Sequence, residues 1–152
     1  MGGDELETGD AGIDDSWAAS EGVLDGKPML VRVRQRVRSI AFRSRFPQRL
    51  RVVWEYQPDN ESGMPCPADL EAITNCENLL AEALEQGNHA ILTHTLMCDG
   101  LRQWVFYSSD LQESARRIND ILPHDPPYPI ELTVEPDADW LEYQETLKRL
   151  GL

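Results

Sequence analysis

The pair Asp99-Gly100, set between "HAILTHTLM" (89–97) and "LRQWVFYS" (101–108), constrains this chain more than any other feature. Asp-Gly between two apolar, β-prone runs is the strongest short-range signal for an antiparallel hairpin. The 89–97 run is almost free of charge, as suits a strand buried on both faces. An antiparallel sheet is therefore expected, and the other segments have to be fitted around it.

Those segments alternate between two periodicities. "LRVVWEYQ" (50–57) is β-branched and aromatic and predicts a strand, followed by the turn-rich "PDNESGMPCP". "PADLEAITNCENLLAEALEQG" sets Leu70, Ile73, Leu80 and Leu84 near one side at helical spacing, with Gly87-Asn88 as a stop. Ser109 with Gln112, or Asp110 with Glu113, makes a capping box for a helix whose Leu111, Ala115, Ile118 and Leu122 share a face. "PIELTVEP" (129–136) turns Ile130, Leu132 and Val134 to one side and Glu131, Thr133 and Glu135 to the other, between prolines that suit an edge. Asp139 with Glu142 opens a last helix carrying Trp140, Leu147 and Leu150 inward.

With a strand at 31–38, the order is β-β-α-β-β-α-β-α. The middle six elements predict an α+β fold of the ferredoxin-like sandwich type, an antiparallel sheet with helices on one face, plus an extra N-terminal strand and a C-terminal helix. The four sheet strands would lie in the order 129–136, 50–57, 101–108, 89–97.

The extra strand is "VRVRQRVR" (31–38), in which Val31, Val33 and Val37 alternate with Arg32, Arg34, Arg36 and Arg38. It belongs to a basic block between acidic ones. Residues 1–26 carry eight acids and no base, residues 27–51 nine bases and no acid, and residues 52–152 nineteen acids against five bases, for a formal net charge of −13. The extra strand must add to one edge of that sheet, 129–136 or 89–97, or fold over the open face; beside 129–136 its arginines would face Glu131 and Glu135, and opposite charges across a strand pair contribute roughly 0.2–1 kcal/mol each. The cations are thus expected to be neutralised by the protein's own carboxylates.

A nucleic-acid surface is the competing use of such a row. Trp54, Tyr56, Trp104, Phe106 and Tyr107 on a sheet are similar to the stacking platform of RNA-recognition motifs. Phosphate binding, however, needs net positive charge over roughly a Debye length, ~8 Å, and the surrounding block is strongly acidic. "GLRQWVFY" also lacks the basic-Gly-aromatic-Gly start of the RNA-binding signature. The expected partner is therefore another protein, of basic character. A homodimer in which the arginine strand swaps to a neighbour is the other arrangement the pattern allows.

A chain of 152 residues fits one domain, which would bury roughly two thirds of its unfolded surface. The Gly- and Asp-rich residues 1–26 are expected to be a disordered tail and residues 27–152 the domain. Apolar runs fall short of the ~18 residues that span a bilayer, and the acidic start is unlike an export signal, so a cytoplasmic protein without membrane contact is expected. Cys66, Cys76 and Cys98 form no CxxC pair and are read as reduced, mostly buried thiols.

Phosphate loops, nucleophile elbows and metal motifs are all missing from the sequence, so no catalytic residue, metal ligand or cofactor is nominated. His94 and Cys98 stand four apart on a predicted strand and so share a face, which allows a base and a nucleophile without requiring them. The 58–67 connection, with Gly63-Met64-Pro65, is long for a strand-to-helix junction and is a candidate binding loop. Arg102, a cation opening a strand between apolar neighbours, is expected to have a carboxylate partner or a ligand. An enzyme of unrecognised type built on Gly63–Pro65 and Arg102 is the alternative to a binding module.

The stretches "VVWEYQPDNESGMPCPADL", "THTLMCDGLRQWVFYSSD" and "PDADWLEYQ" together resemble a bacterial family catalogued as domain of unknown function six-nine-five, over roughly residues 28–145. The family shows a Gly-Met-Pro before the first helix, a Gly-x-Arg-x-Trp-x-Phe-Tyr strand and a late Asp-x-Asp-Trp. It is more loosely similar to the regulator of ribonuclease activity B family, acidic proteins that bind and restrain a ribonuclease. The resemblance implies no catalytic residues. Its motif positions here are Trp54, Tyr56, Gly63, Pro65, Gly100, Arg102, Trp104, Tyr107, Asp139 and Trp140, which serve structure as readily as function; with the loop, the binding candidates are Trp54, Tyr56, Gly63, Met64, Pro65, Arg102, Trp104, Tyr107 and Trp140.

Overall fold

Two Asp-Gly turns organise the sheet. Both residues of each pair adopt positive φ, 52° and 81° at Asp25-Gly26 and 42° and 88° at Asp99-Gly100, as a type I′ hairpin turn requires. The computed structural model describes residues 16–35, 37 and 40–152. Its elements run β1 (Trp17–Leu24), β2 (Lys27–Arg34), α1 (Ile40–Arg43), β3 (Gln48–Glu55), α2 (Pro67–Glu85), β4 (Ala90–Cys98), β5 (Leu101–Ser108), α3 (Leu111–Ile121), β6 (Ile130–Pro136) and α4 (Leu141–Arg149). The fold is α+β, with one six-stranded antiparallel sheet and four helices.

The strand order is β1-β2-β4-β5-β3-β6. Within it β6, β3, β5 and β4 follow one another as the strand patterns predicted. Two expectations are corrected. Of the two edges open to it, the basic strand adds to β4, through Met29↔Cys98 to Val33↔His94, and not to β6, so its arginines do not face Glu131 and Glu135. Part of the expected tail is also ordered: Trp17–Leu24 pairs along its length with Lys27–Arg34, and the second Asp-Gly pair marked that hairpin all along. Residues 1–15, with Arg36 and Arg38, lie outside the described residues.

Helices cover both faces of the sheet, not one. On the first face α2 and α3 bury Ile73, Cys76, Leu80, Leu84 and Ile118 against Leu50, Val52, Trp54, Leu92, Trp104 and Phe106. On the second, α1 and α4 pack Phe42, Phe46, Trp140 and Tyr143 against Val33, Ile91, Val105 and Tyr107. Alternation along each strand divides the two cores. A register irregularity between Leu92 and His94 turns Thr95 toward α2 and His94 toward α4.

Helix α4 begins differently from the capping box expected at Asp139. Asp137 accepts from the backbone N–H groups of Leu141 (2.8 Å) and Glu142 (3.2 Å). Trp140 stands at the cap with φ 58°, a left-handed conformation that a bulky residue holds only against strong packing. That packing is Tyr107, stacked at 4.2 Å between ring centroids, and a 2.9 Å bond from the indole N–H to the Phe46 carbonyl. At α3 the Asp110 option is taken, its side chain accepting from Glu113 N–H. Among the described residues no helix is long and apolar enough to cross a membrane.

Candidate functional site

The nine nominated residues fall in separate places. Trp54 is buried beside Tyr128, ring centroids 4.9 Å apart. Tyr56 donates its hydroxyl proton to the Gly63 carbonyl at 2.7 Å, and Gly100 N–H donates to the same oxygen at 3.0 Å. Gly63 needs its φ of 77°, and a Cβ there would stand 2.7 Å from the Asp99 Cα. The Gly63-Met64-Pro65 loop is therefore bonded onto the β4–β5 turn, and Met64 packs on the core. Tyr107 and Trp140 are fully buried under α4. Seven of the nine thus belong to the packing of a turn or a core.

Arg102 and Trp104 do come together, on Glu77 of α2. Its carboxylate accepts from Arg102 (2.7 Å), from the Trp104 indole N–H (2.7 Å) and from Arg32 (2.8 Å). Burial pushes the Glu77 carboxyl up, but the bonds from Trp104 and Arg102 and the charges of Arg32 and Arg102 outweigh it and hold the group below its ordinary range. One turn pair further along α2, Glu85 takes Arg34 at 2.9 Å, and Arg34 Nε donates to the Leu92 carbonyl at 3.0 Å. Trp17 of β1 lies under both guanidinium groups, 5.4 Å from Arg32 and 4.7 Å from Arg34. The two described arginines of the row are neutralised from within, by α2 and not by β6.

A second carboxylate does the same on the other face, and nothing in the sequence signalled it. Glu142 of α4 takes Arg51 at both oxygens, the second contact at 3.1 Å, with Arg49 Nε at 3.3 Å and His94 Nε2 at 2.9 Å. Burial opposes its ionisation, and the bonds from His94 and Arg51 overcome that and hold it at about 2. Asp137 adjoins it, accepting from Tyr107 (2.7 Å) and Arg49 (3.2 Å), and Arg49 also pairs with Glu135.

The chemistry of these clusters is structural. Burial pushes the Cys76 thiol up to about 12 and raises Cys98, so neither is activated as a thiolate. His94 is bonded to Glu142 and Thr93. Four strand residues separate it from Cys98 by roughly 13 Å. Among the described residues no three His, Cys, Asp or Glu side chains gather as a metal site.

Two surface features remain open. A cavity of about 350 Å³ lies beside the Arg32–Glu77–Arg102 cluster, between β1–β2 and β4, with Thr95 and Leu30 in its wall. Among the described residues the buried Thr95 hydroxyl and Arg102 Nε have no hydrogen-bond partner. On the opposite side, a groove of about 290 Å³ runs between α3 and the edge strand β6, lined by Ala115, Ile118, Leu122, Tyr128, Ile130 and Leu132. Leu132, in its wall, is 40% exposed, and Val134, two residues further along β6, is 44% exposed.

Fold and site together define a two-faced α+β sheet protein, each face locked by a carboxylate that gathers cations. The chain belongs to a family of unknown function (DUF695), whose model matches residues 15–148. The match takes in β1, so the N-terminal hairpin is part of the family's domain. No curated protein and no solved structure matches the chain.

Proposed function

We propose that this protein is a non-enzymatic binding or regulatory module, of ferredoxin-like architecture, that recognises a basic protein through its acidic exterior. One observation carries the reading: Arg32, Arg34, Arg49, Arg51 and Arg102 all bond the protein's own carboxylates. The chain as a whole carries a formal net charge of −13, so with those cations engaged internally the acids are in excess. Such an excess speeds encounter with a cationic partner and repels nucleic acid. Restraint of an RNA-processing nuclease through an arginine-rich segment is the narrowest form of the reading, and the cytoplasm its setting.

The test is affinity capture from the source cell followed by reconstitution with the purified partner at about 0.15 M salt. A basic protein that binds at micromolar strength or tighter, and more weakly as salt rises, supports the reading. Micromolar binding of single-stranded RNA, or no basic partner, overturns it. The alternative, an enzyme using Gly63–Pro65 and Arg102, is favoured only by the unpartnered Thr95 hydroxyl at the cavity; a metabolite retained in native mass spectra would support it.

A further inference from the structure

The geometry points to the outer edge of β6 as the docking place: we infer that an extended segment of the partner adds there as an antiparallel strand. Its alternate apolar side chains would lie over the α3–β6 groove and its basic ones would face Glu131 and Glu135. The inference rests on the protein-recognition reading above and names the surface and the partner's pattern.

The phase of the ladder comes first. β6 pairs only with β3, and Asp137 N–H donates to the Pro47 carbonyl at 2.9 Å. Counting by two from that bonded pair, Arg49↔Glu135, Arg51↔Thr133 and Val53↔Glu131 are the positions that exchange hydrogen bonds with β3. Leu132 and Val134 therefore turn both backbone groups outward, and Ile130 its carbonyl, its N–H being taken by Tyr128 O. Among the described residues no strand meets them. This is an unpaired template, and "IELTVE" carries none of the interior prolines, lysines or bulges that usually blunt one.

Side-chain chemistry then selects the occupant. Residues opposite Leu132 and Val134 share their face, above the apolar groove. Residues in between face Glu131, Thr133 and Glu135, all exposed. Arg49 does not neutralise this row, because it is divided among Glu135, Asp137 and Glu142. A second copy of the chain pairing antiparallel about Thr133 would set Glu131 against Glu135 twice, which like-charge repulsion disfavours. A strand alternating apolar and basic residues meets every one of these conditions. The other edge, β1, offers a single acid, Glu21, and a strand-weakening glycine, Gly22.

The probe is a capped octapeptide alternating valine and lysine, titrated by fluorescence anisotropy at about 0.15 M salt with amide NMR on residues 130–136. Two controls keep its composition: one with the four valines and four lysines in blocks, one N-methylated on the backbone amides that would face β6. The alternating peptide is expected to bind, with shifts confined to β6 and α3, and each control to bind about tenfold more weakly or worse. Glu131→Lys and Leu132→Pro are expected to cost a similar factor. Leu132→Pro removes an N–H that points outward, and Glu131→Lys, at an exposed site, keeps the experiment decisive if the proline variant fails to fold. Equal binding of all three peptides would overturn strand addition and leave the acidic-surface reading standing. No binding of the alternating peptide, or a dimer of the protein dispersed by Glu131→Lys, would overturn it too.

Discussion

Glu77 and Glu142 hold opposite faces of the sheet by the same device, one carboxylate gathering two guanidinium groups and one ring N–H. The surroundings differ. Glu77 binds the buried Trp104 and two arginines, Arg102 and Arg32, whose side chains are 12% and 39% exposed. Glu142 binds Arg51, Arg49 and His94, whose side chains are 23%, 16% and 6% exposed, and Asp137 fixes the helix turn that carries it. Charges held this way are costly to bury and costlier to leave alone, so losing a hub should matter in proportion to how little water reaches its partners. The contrast teaches that a basic, apparently outward-looking sequence block can be internal structure.

The largest effect is expected at Glu142. Glu142→Gln strands two guanidinium groups near the core and should destabilise by about 3 kcal/mol in urea unfolding. Nearly as large is the response to acid. A carboxyl held at about 2 against an ordinary 4.5 contributes stability that is complete above its unfolded value and is lost as pH falls through the folded one. Wild-type stability should therefore drop between pH 4.5 and about 2 by on the order of 3 kcal/mol, and Glu142→Gln should flatten that slope. A variant as acid-sensitive as wild type would break the assignment of the hub.

Glu77→Gln should cost less, about 2 kcal/mol, because of its two guanidinium partners only Arg102 is left buried while water can solvate Arg32. Equal losses at the two sites would show that partner exposure does not set the difference. Arg102→Lys sharpens the same point. It keeps the charge but cannot hold Glu77 with a planar fork, and about 1 kcal/mol is expected, visible as a shift of the thermal midpoint by roughly 2–4 °C. Smallest of all is Arg116→Ala on α3, where Glu113 and Asp120 are surface partners. No measurable change in midpoint is expected there.

Legibility tracked the range of the interaction that decided each feature. The β4–β5 hairpin follows from Asp99-Gly100, and the two-residue period of "PIELTVEP" and the helical spacing of Ile73, Leu80 and Leu84 follow from neighbours within two turns. Trp17–Leu24 reads as a tail because its acidity and glycine content mask the Asp25-Gly26 turn beside it, yet it forms β1. Of the site, the sequence leaves Arg102 a carboxylate partner or a ligand, and the structure gives it a carboxylate; which one, and that Arg32 shares it, depends on contacts 25 and 45 residues apart in the chain.

By itself, then, the sequence determined five of the six sheet strands, three of the helices, the β4–β5 turn and the charge balance, since these depend on local periodicity, backbone preferences of Gly, Asp and Pro, and composition. Only the tertiary structure decided that β2 joins β4 rather than β6, that α4 closes the second face, and that Glu77, Glu85 and Glu142 absorb the arginines. Alternation places a guanidinium group on one side of a strand, but the carboxylate it meets there comes from a helix whose docking is settled by the packing of the whole core.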